Sequence, residues 1–204
     1  MSDLLQKAQA TLDAARAAVN PRYRPGFHLS VPAGWMNDPN GFGLGGGRYQ
    51  LFYQYHPYST VWGPMHWGHW SSEDLLHWRE EPIALAPDEA FDAAGCFSGT
   101  SLEQDGKLYL LYTGVREEAG CEKKLQQQCA AESDDCVHFE KWRDNPVIGQ
   151  ELLPAGASPF DFRDPKISRT ETGYRAIVAS KGAQGGQLLR FDSDDLHHWR
   201  YTGV

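Results

Sequence analysis

A segment that recurs three times at a nearly constant spacing constrains the fold of this chain more than any other feature. Each copy reads Ser, an acidic residue, Asp, any two residues, His and an aromatic residue. The aspartates of the three copies are Asp74, Asp135 and Asp195. The copies therefore recur about every 60 residues. A unit of this length holds several short strands, which is typical of a β-propeller blade. We interpret the repeated histidines as structural residues of equivalent turns, at His77, His138 and His198.

The stretches between these repeats have the composition of strands. After residue 25, short apolar or aromatic runs alternate with clusters of Gly, Asp, Asn and Pro. This pattern predicts strands at residues 49–55, 65–70, 107–113, 174–179 and 187–191. The chain is therefore predicted to be all-β, with about three blades in its 204 residues. Because three blades do not close a ring, we expect a truncated propeller.

The first residues follow a helical pattern instead. Residues 2–19 are predicted to form a helix that Ser2 caps and Asn20-Pro21 ends. Its apolar face comprises Leu5, Ala8, Leu12, Ala15 and Val19. We interpret the helix as an arm packed on the main body, with a partner-binding helix as the alternative. The predicted organisation is a helical lead at 1–24 followed by blades at 25–204.

Three chemically unusual segments lie where the three units begin. They are Trp-Met-Asn-Asp-Pro-Asn-Gly at 35–41, Gly-Cys-Phe-Ser-Gly-Thr at 95–100 and Asp-Phe-Arg-Asp-Pro at 161–165. The separation from Asp38 to Ser98 and that from Ser98 to Asp164 are both close to the repeat period, so the segments are in phase. The first strand of each propeller blade lines the central channel, so we expect these segments to meet at one mouth of that channel.

Two of these segments place a carboxylate directly before a proline, which restricts the backbone. The amides of Asn37 and Asn40 flank Asp38, and the guanidinium of Arg163 is beside Asp164. These neighbours are expected to keep both carboxyls ionised. The structural alternatives are an Asx turn at residues 37–41 and a surface ion pair at Arg163.

The side chains expected around this carboxylate pair suit a sugar. Aromatic rings pack against the C–H faces of sugars, and Trp35, Trp62 and Phe97 are the aromatic candidates. Gln54 and Ser98 add neutral hydrogen-bonding groups. Glycoside cleavage with retention of configuration needs a nucleophilic carboxylate and an acid carboxyl about 5–5.5 Å apart.

Five motifs together resemble glycoside hydrolase family 32, which contains invertases, sucrose-6-phosphate hydrolases and fructanases. The motifs are residues 35–41, Phe-Tyr-Gln-Tyr-His-Pro at 52–57, Trp-Gly-Pro-Met-His-Trp-Gly-His at 62–69, Cys-Phe-Ser-Gly-Thr at 96–100 and Phe-Arg-Asp-Pro at 162–165. The resemblance runs from about residue 25 to the end. It implies a five-bladed β-propeller followed by a β-sandwich, of which this chain holds the first three blades.

The resemblance also implies roles for individual residues. Asp38 matches the family's nucleophile and Asp164 its transition-state stabiliser. Substrate-contacting positions are matched by Trp35, Met36, Asn37, Gln54, Trp62, Phe97, Ser98 and Arg163. The family's acid/base is a glutamate in a Glu-Cys-Pro segment that opens the fourth blade, and this sequence has no such segment; Glu81 and Glu122 lie elsewhere in their units. We therefore expect a retaining β-fructofuranosidase of sucrose or sucrose 6-phosphate whose residues 1–204 are inactive alone.

Two other functions remain open at this point. One is a non-catalytic sugar-binding propeller or a subunit that needs a partner half. The other is a fructosyltransferase, in which a sugar hydroxyl replaces water in the second step. If the substrate is phosphorylated, Lys166 and Arg190 are the basic candidates for phosphate recognition.

Composition limits the partners and the compartment. The net charge of −8 argues against nucleic acid or an anionic membrane surface as a partner. No apolar run is long enough to cross a bilayer, and the first residues lack the pattern of a secretory signal. Four cysteines without paired spacing indicate a reducing cytoplasm. The sequence indicates no cofactor. It also indicates no metal site, because the two closely spaced histidines His66 and His69 would face opposite sides of a strand.

Overall fold

The computed structural model describes residues 2–26 and 28–204, so Met1 of the predicted lead and Phe27 lie outside the described residues. Helix α1 (Asp3–Arg16) comes first, and a short 3₁₀ helix (Pro21–Tyr23) follows it. In the rest of the described chain the regular structure consists of strands, apart from one further 3₁₀ turn (Gln150–Leu152).

The strands form three separate four-stranded sheets, each with its strands in chain order. Blade 1 comprises β1 (Trp35–Gly45), β2 (Arg48–His56), β3 (His66–Ser72) and β4 (Trp78–Leu85). Blade 2 comprises β5 (Gly95–Gln104), β6 (Lys107–Arg116), β7 (Leu125–Ser133) and β8 (Glu140–Lys141). Blade 3 comprises β9 (Phe162–Thr170), β10 (Gly173–Gly182), β11 (Gly185–Ser193) and β12 (Trp199–Gly203).

All neighbouring strands within a blade pair antiparallel. This confirms the predicted all-β class with three blades, and β2, β3, β6, β10 and β11 are the five strands that the sequence predicts. The first strand of blade 2, β5, contacts both β1 and β9. The three first strands therefore lie side by side along one axis, which is the arrangement that brings the unusual segments together.

The blades are held to one another by buried apolar side chains. Phe52 and Trp67 of blade 1 pack with Tyr112 of blade 2 in one buried cluster. Phe162 and Leu189 of blade 3 belong to the next cluster, which also includes side chains from blade 2. Fully burying one such side chain contributes about 1.5–3 kcal/mol, so these junctions fix the angle between neighbouring blades.

Helix α1 packs on blade 1. Ala8 and Leu12 are buried against Tyr53 and Tyr55, as the packed-arm interpretation predicts. The side-chain oxygen of Gln9 accepts a hydrogen bond from the Ile83 backbone N–H (3.0 Å), so the helix also provides a hydrogen-bond partner for the outer strand β4. An edge strand covered in this way is protected from pairing with other chains.

The predicted end of the helix is wrong by a few residues. Ser2 caps the helix as expected, since its hydroxyl accepts from the Leu5 N–H, but the helix ends at Arg16 and Val19 is exposed. Asn20 instead caps the short 3₁₀ helix by accepting from the Arg22 N–H, and Pro21 disfavours the α conformation for the residue before it. Helix α1 therefore ends three residues before the predicted end at residue 19.

The repeated segment forms three equivalent turns, which we call the rim turns (residues 72–78, 133–139 and 193–199). In each, the Asp carboxylate accepts from the backbone N–H of the His in the same turn and also contacts that His ring. The Nδ1–Oδ2 distances are 2.7, 2.8 and 2.7 Å for His77–Asp74, His138–Asp135 and His198–Asp195. The structural interpretation of the three histidines is confirmed.

Candidate active site

A β-bulge interrupts the first strand of every blade at the position of its unusual segment. In β1, Met36 and Pro39 pair with Tyr55 and Tyr53, so one extra residue is accommodated at Asn37–Asp38. The same mismatch occurs in β5 at Ser98 and in β9 at residues 164–165. Bulges re-aim a side chain and are common beside active sites. We call these three features the axial bulges.

The first axial bulge presents Asp38 to solvent. The Trp35 indole N–H donates to the side-chain oxygen of Asn37 (2.8 Å), so the amide beside Asp38 is fixed by the preceding aromatic ring. Asp38 itself is exposed. An exposed carboxylate on a fixed backbone is accessible to a ligand.

The third axial bulge holds Asp164 in a rarely populated backbone conformation. Its φ is +60°, in the left-handed region that a residue with a side chain adopts at a cost of about 1–3 kcal/mol. Its N–H donates to Thr113 Oγ1 of blade 2 (3.1 Å), and Arg163 Nε lies 3.8 Å from its Oδ2. Such strain persists only where the surroundings impose it.

The Asp164 carboxyl responds to its charged neighbours. Partial burial raises the pKa of the Asp164 carboxyl, the Arg163 guanidinium lowers it, and the Asp38 carboxylate raises it again. The electrostatic contribution from Asp38 agrees with the position of both carboxylates at the axial bulges of first strands that lie side by side. The guanidinium of Arg163 favours the ionised form of Asp164, as expected from the sequence, but desolvation is the larger contribution and the net shift of the pKa is upward.

Ser98, in the second axial bulge, lies between the two acidic bulges. Its Oγ accepts a weak hydrogen bond from Asn40 Nδ2 (3.4 Å), which links β1 to β5. The Asn40 side-chain oxygen is buried and has no partner among the described residues. The position after Ser98 must be glycine, because a Cβ at Gly99 would lie 2.1 Å from the Leu111 carbonyl oxygen.

Two of the aromatic candidates, Trp62 and Phe97, contact each other next to the second axial bulge. Trp62 lies in the loop between β2 and β3, is 49% exposed, and packs edge-on against Phe97, with ring centroids 6.2 Å apart. The Phe97 carbonyl in turn accepts from the Trp67 indole (3.0 Å). The pair offers an accessible apolar surface beside Ser98.

Two predicted substrate contacts have other partners. Met36 packs against the apolar cluster beneath α1, so the structure does not bring it to the carboxylates. Gln54 is 3% exposed and donates its amide to the Cys96 carbonyl (2.9 Å). The two residues lie beside the first axial bulge, where the strand pairing is interrupted. The Met36 side chain there fills the apolar core, and the Gln54 side chain supplies a hydrogen bond to the backbone of the next blade.

Blades 1 and 2 each supply side chains that hold the first strand of the next blade beside its axial bulge. Blade 1 uses Gln54 and Trp67 on the backbone of residues 96–97. Blade 2 uses Gln126, which accepts from the Phe162 N–H (2.9 Å), and Gln128, which donates to the Phe162 carbonyl (2.8 Å). Sequence reasoning missed both of these glutamines. Position within the repeat could have identified Gln128, because Trp67 and Gln128 occupy equivalent positions in successive repeats.

The basic and imidazole candidates have ordinary structural contacts. Arg190 donates to the Thr202 carbonyl (2.7 Å) in the outer half of blade 3, away from the axial bulges, so its suggested phosphate role is not supported. Lys166 donates to Thr100 Oγ1 (3.4 Å) between β9 and β5. Burial lowers the pKa of His66 to about 4 and that of His69 to about 3.

Comparison with known proteins agrees with this geometry. Residues 28–204 match the glycosyl hydrolases family 32 N-terminal domain. A sucrose-6-phosphate hydrolase of Escherichia coli is 42% identical over 204 residues, which cover 98% of this chain and 41% of that protein. A raffinose invertase of Escherichia coli is 40% identical over 208 residues, covering 100% of this chain and 42% of that protein.

The fold comparison gives the same result. The solved structure of a Bombyx mori family 32 beta-fructofuranosidase mutant in complex with sucrose matches with a TM-score of 0.89 and 40% identity. The match covers 98% of this chain and 41% of that one. The chain therefore spans about two fifths of the length of the relatives it matches.

Proposed function

The chain belongs to glycosyl hydrolase family 32, and from that membership we propose that it is the nucleophile-bearing part of a retaining β-fructofuranosidase. The proposed substrate is sucrose or sucrose 6-phosphate. The observation that carries the proposal is that the axial bulges of Asp38, Ser98 and Asp164 lie on three first strands that are side by side. Names of relatives and the sucrose complex of the insect enzyme support the substrate class.

In the proposed reaction, Asp38 attacks the anomeric carbon of the fructosyl unit. The bond to the glucosyl oxygen breaks, that oxygen takes a proton from a general acid, and a fructosyl ester forms on Asp38. Water then attacks the same carbon after losing a proton to the conjugate base, which releases fructose and restores the carboxylate. Exposure of Asp38 on the first axial bulge supports its role, because the attacking oxygen must reach the sugar.

Asp164 and Arg163 are proposed to hold the fructosyl hydroxyls. A carboxylate that accepts hydrogen bonds from hydroxyls stabilises the sugar most where charge develops on the ring in the transition state. Trp62 and Phe97 would pack on the apolar side of the sugar, while Asn37 and Ser98 would bond its hydroxyls. Trp35 would act through Asn37, whose amide it orients.

The general acid is proposed to lie outside residues 1–204. Among the residues that the structure describes, no glutamate contacts the axial bulges; Glu81, for example, is bonded to Ser71 between β3 and β4. Without the general acid, the departing glucosyl oxygen is not protonated and is a poor leaving group. The loss of this proton transfer lowers the rate by about 10²–10⁴-fold. We therefore propose that this part binds the substrate and turns it over little or not at all.

The test compares the release of glucose from sucrose, and of glucose 6-phosphate from sucrose 6-phosphate, by residues 1–204 and by the complete enzyme. The proposal expects turnover by the complete enzyme and little or none by the part. Robust turnover by residues 1–204 would refute the assignment of the missing acid. If the complete enzyme transfers fructose to a second sugar faster than to water, it is a fructosyltransferase; if it binds sucrose without cleavage, it is a sugar-binding propeller.

We further propose a helical lead at 1–24, three blades at 25–204 and a cytoplasmic location. The free thiols support that location, because Cys96, Cys129 and Cys136 are buried and unpaired. Among the described residues, no helix has the length and apolar character needed to cross a membrane.

A further inference from the structure

The strained backbone of Asp164 is held by a closed ring of buried polar groups that the proposed chemistry does not use. Its N–H donates to Thr113 Oγ1 (3.1 Å), and the Thr113 hydroxyl donates to Gln128 Oε1 (2.8 Å). The Gln128 amide then donates to the Phe162 carbonyl (2.8 Å), just before Asp164 in the same strand. Thr113 and Gln128 are both fully buried. The ring therefore connects blade 2 to strand β9 at two points, one of which is in the third axial bulge.

The groups in this ring satisfy one another's hydrogen bonds. Thr113 Oγ1 accepts from Asp164 and donates to Gln128, which uses the hydroxyl proton and a lone pair. Gln128 uses its oxygen on Thr113 and its nitrogen on blade 3. A buried network whose members are all satisfied is rigid, whereas removal of one member leaves a neighbour unpaired. Such a network can impose a φ of +60° that the isolated chain would avoid.

We propose that Thr113 and Gln128 are positioning residues that hold the third axial bulge so that the Asp164 carboxylate faces Asp38. The proposal rests on the proposed function for its sugar-binding consequence, but its structural part stands alone. Without the ring, Asp164 would relax toward an ordinary backbone conformation and its carboxylate would turn from the shared site. Thr113→Val removes the hydroxyl at nearly constant shape, and Thr113→Ser retains it.

The experiment uses residues 1–204 and follows the Asp164 amide by hydrogen exchange. In the unaltered chain this amide is expected to be protected, and rapid exchange there would overturn the proposal without any variant. Thr113→Val is expected to speed exchange of this amide by about tenfold or more relative to amides in the middle of β10. Thr113→Ser is expected to remain within about threefold of the unaltered chain.

Sucrose binding by titration calorimetry gives the functional readout. Thr113→Val is expected to raise the dissociation constant by about tenfold, and Thr113→Ser by less than about threefold. The control is Ser101→Ala, which removes another buried hydroxyl bond, to the Gly41 carbonyl (2.6 Å), without touching blade 3. It should lower the melting temperature similarly while leaving Asp164 exchange and sucrose affinity unchanged.

The outcomes separate the two proposals. A folded Thr113→Val variant with unaltered Asp164 exchange and unaltered sucrose affinity overturns the positioning role, as does a Thr113→Ser variant as impaired as Thr113→Val. If Asp164→Asn binds sucrose as well as the unaltered chain does, the proposed function fails instead. If no variant binds sucrose, the exchange comparison alone decides the positioning role.

Discussion

The three rim turns use the same residues for the same contacts, whereas the three axial bulges share a position but differ in their residues. Every rim turn pairs an Asp with a His and places a residue with a side chain at positive φ, at Leu75, Cys136 and Leu196. The axial bulges carry Asn-Asp, Ser and Asp-Pro. Repetition therefore marks what each blade needs in order to fold, and divergence at an equivalent position marks what the assembled site needs for chemistry.

The largest expected difference between the axial bulges and the rim turns is in catalysis. Asp38→Asn removes the charge of the proposed nucleophile, so turnover of sucrose by the complete enzyme should fall by at least about 10⁴-fold. The melting temperature should remain almost unchanged, because the side chain is exposed. The matched control is Asp134→Asn on the rim, which should retain full activity. Unchanged turnover in Asp38→Asn would exclude Asp38 as the nucleophile.

The second contrast is in stability. Asp195→Ala removes a carboxylate that accepts from the backbone N–H groups of His197 and His198 (2.9 and 2.8 Å). By analogy with helix capping, unfolding should become easier by about 1 kcal/mol, which for a chain of this size lowers the melting temperature by about 2–4 °C. Sucrose affinity should not change. The neighbouring Asp194→Ala, which only contacts Arg200 at the surface, should have a smaller effect; equal effects would contradict the capping role.

A smaller contrast concerns pH. The hydrogen bond to Asp195 raises the pKa of His198 above its ordinary value, so the protonated ring stabilises the fold. That contribution is fully present below the unfolded pKa of about 6.5 and is lost as pH rises through the higher folded value. His198→Gln should therefore cost more stability at pH 5.5 than at pH 9 in thermal unfolding. A cost that is the same at both values would show that the charge of the ring contributes nothing.

Sequence patterns predicted the rim more completely than the axis. The repeat period predicted the blades, the rim histidines and the phase of Asp38, Ser98 and Asp164, because each depends on spacing along the chain. The bulges, the Thr113–Gln128 ring and the partners of Gln54 and Met36 depend on contacts between strands and blades, which spacing does not encode. The contribution of burial to the pKa of Asp164 was not predicted for a similar reason, since burial depends on the assembled junction.

The proximity of Asp38 and Asp164 is the claim on which the site depends, and a carboxyl titration by ¹³C NMR tests it most directly. The pKa of Asp164 should be followed in residues 1–204 and in the Asp38→Asn and Asp134→Asn variants. Because the Asp38 charge raises the pKa of Asp164, we expect a lower Asp164 pKa in Asp38→Asn and no change in Asp134→Asn. An Asp164 pKa that is identical in all three folded proteins would contradict a shared site.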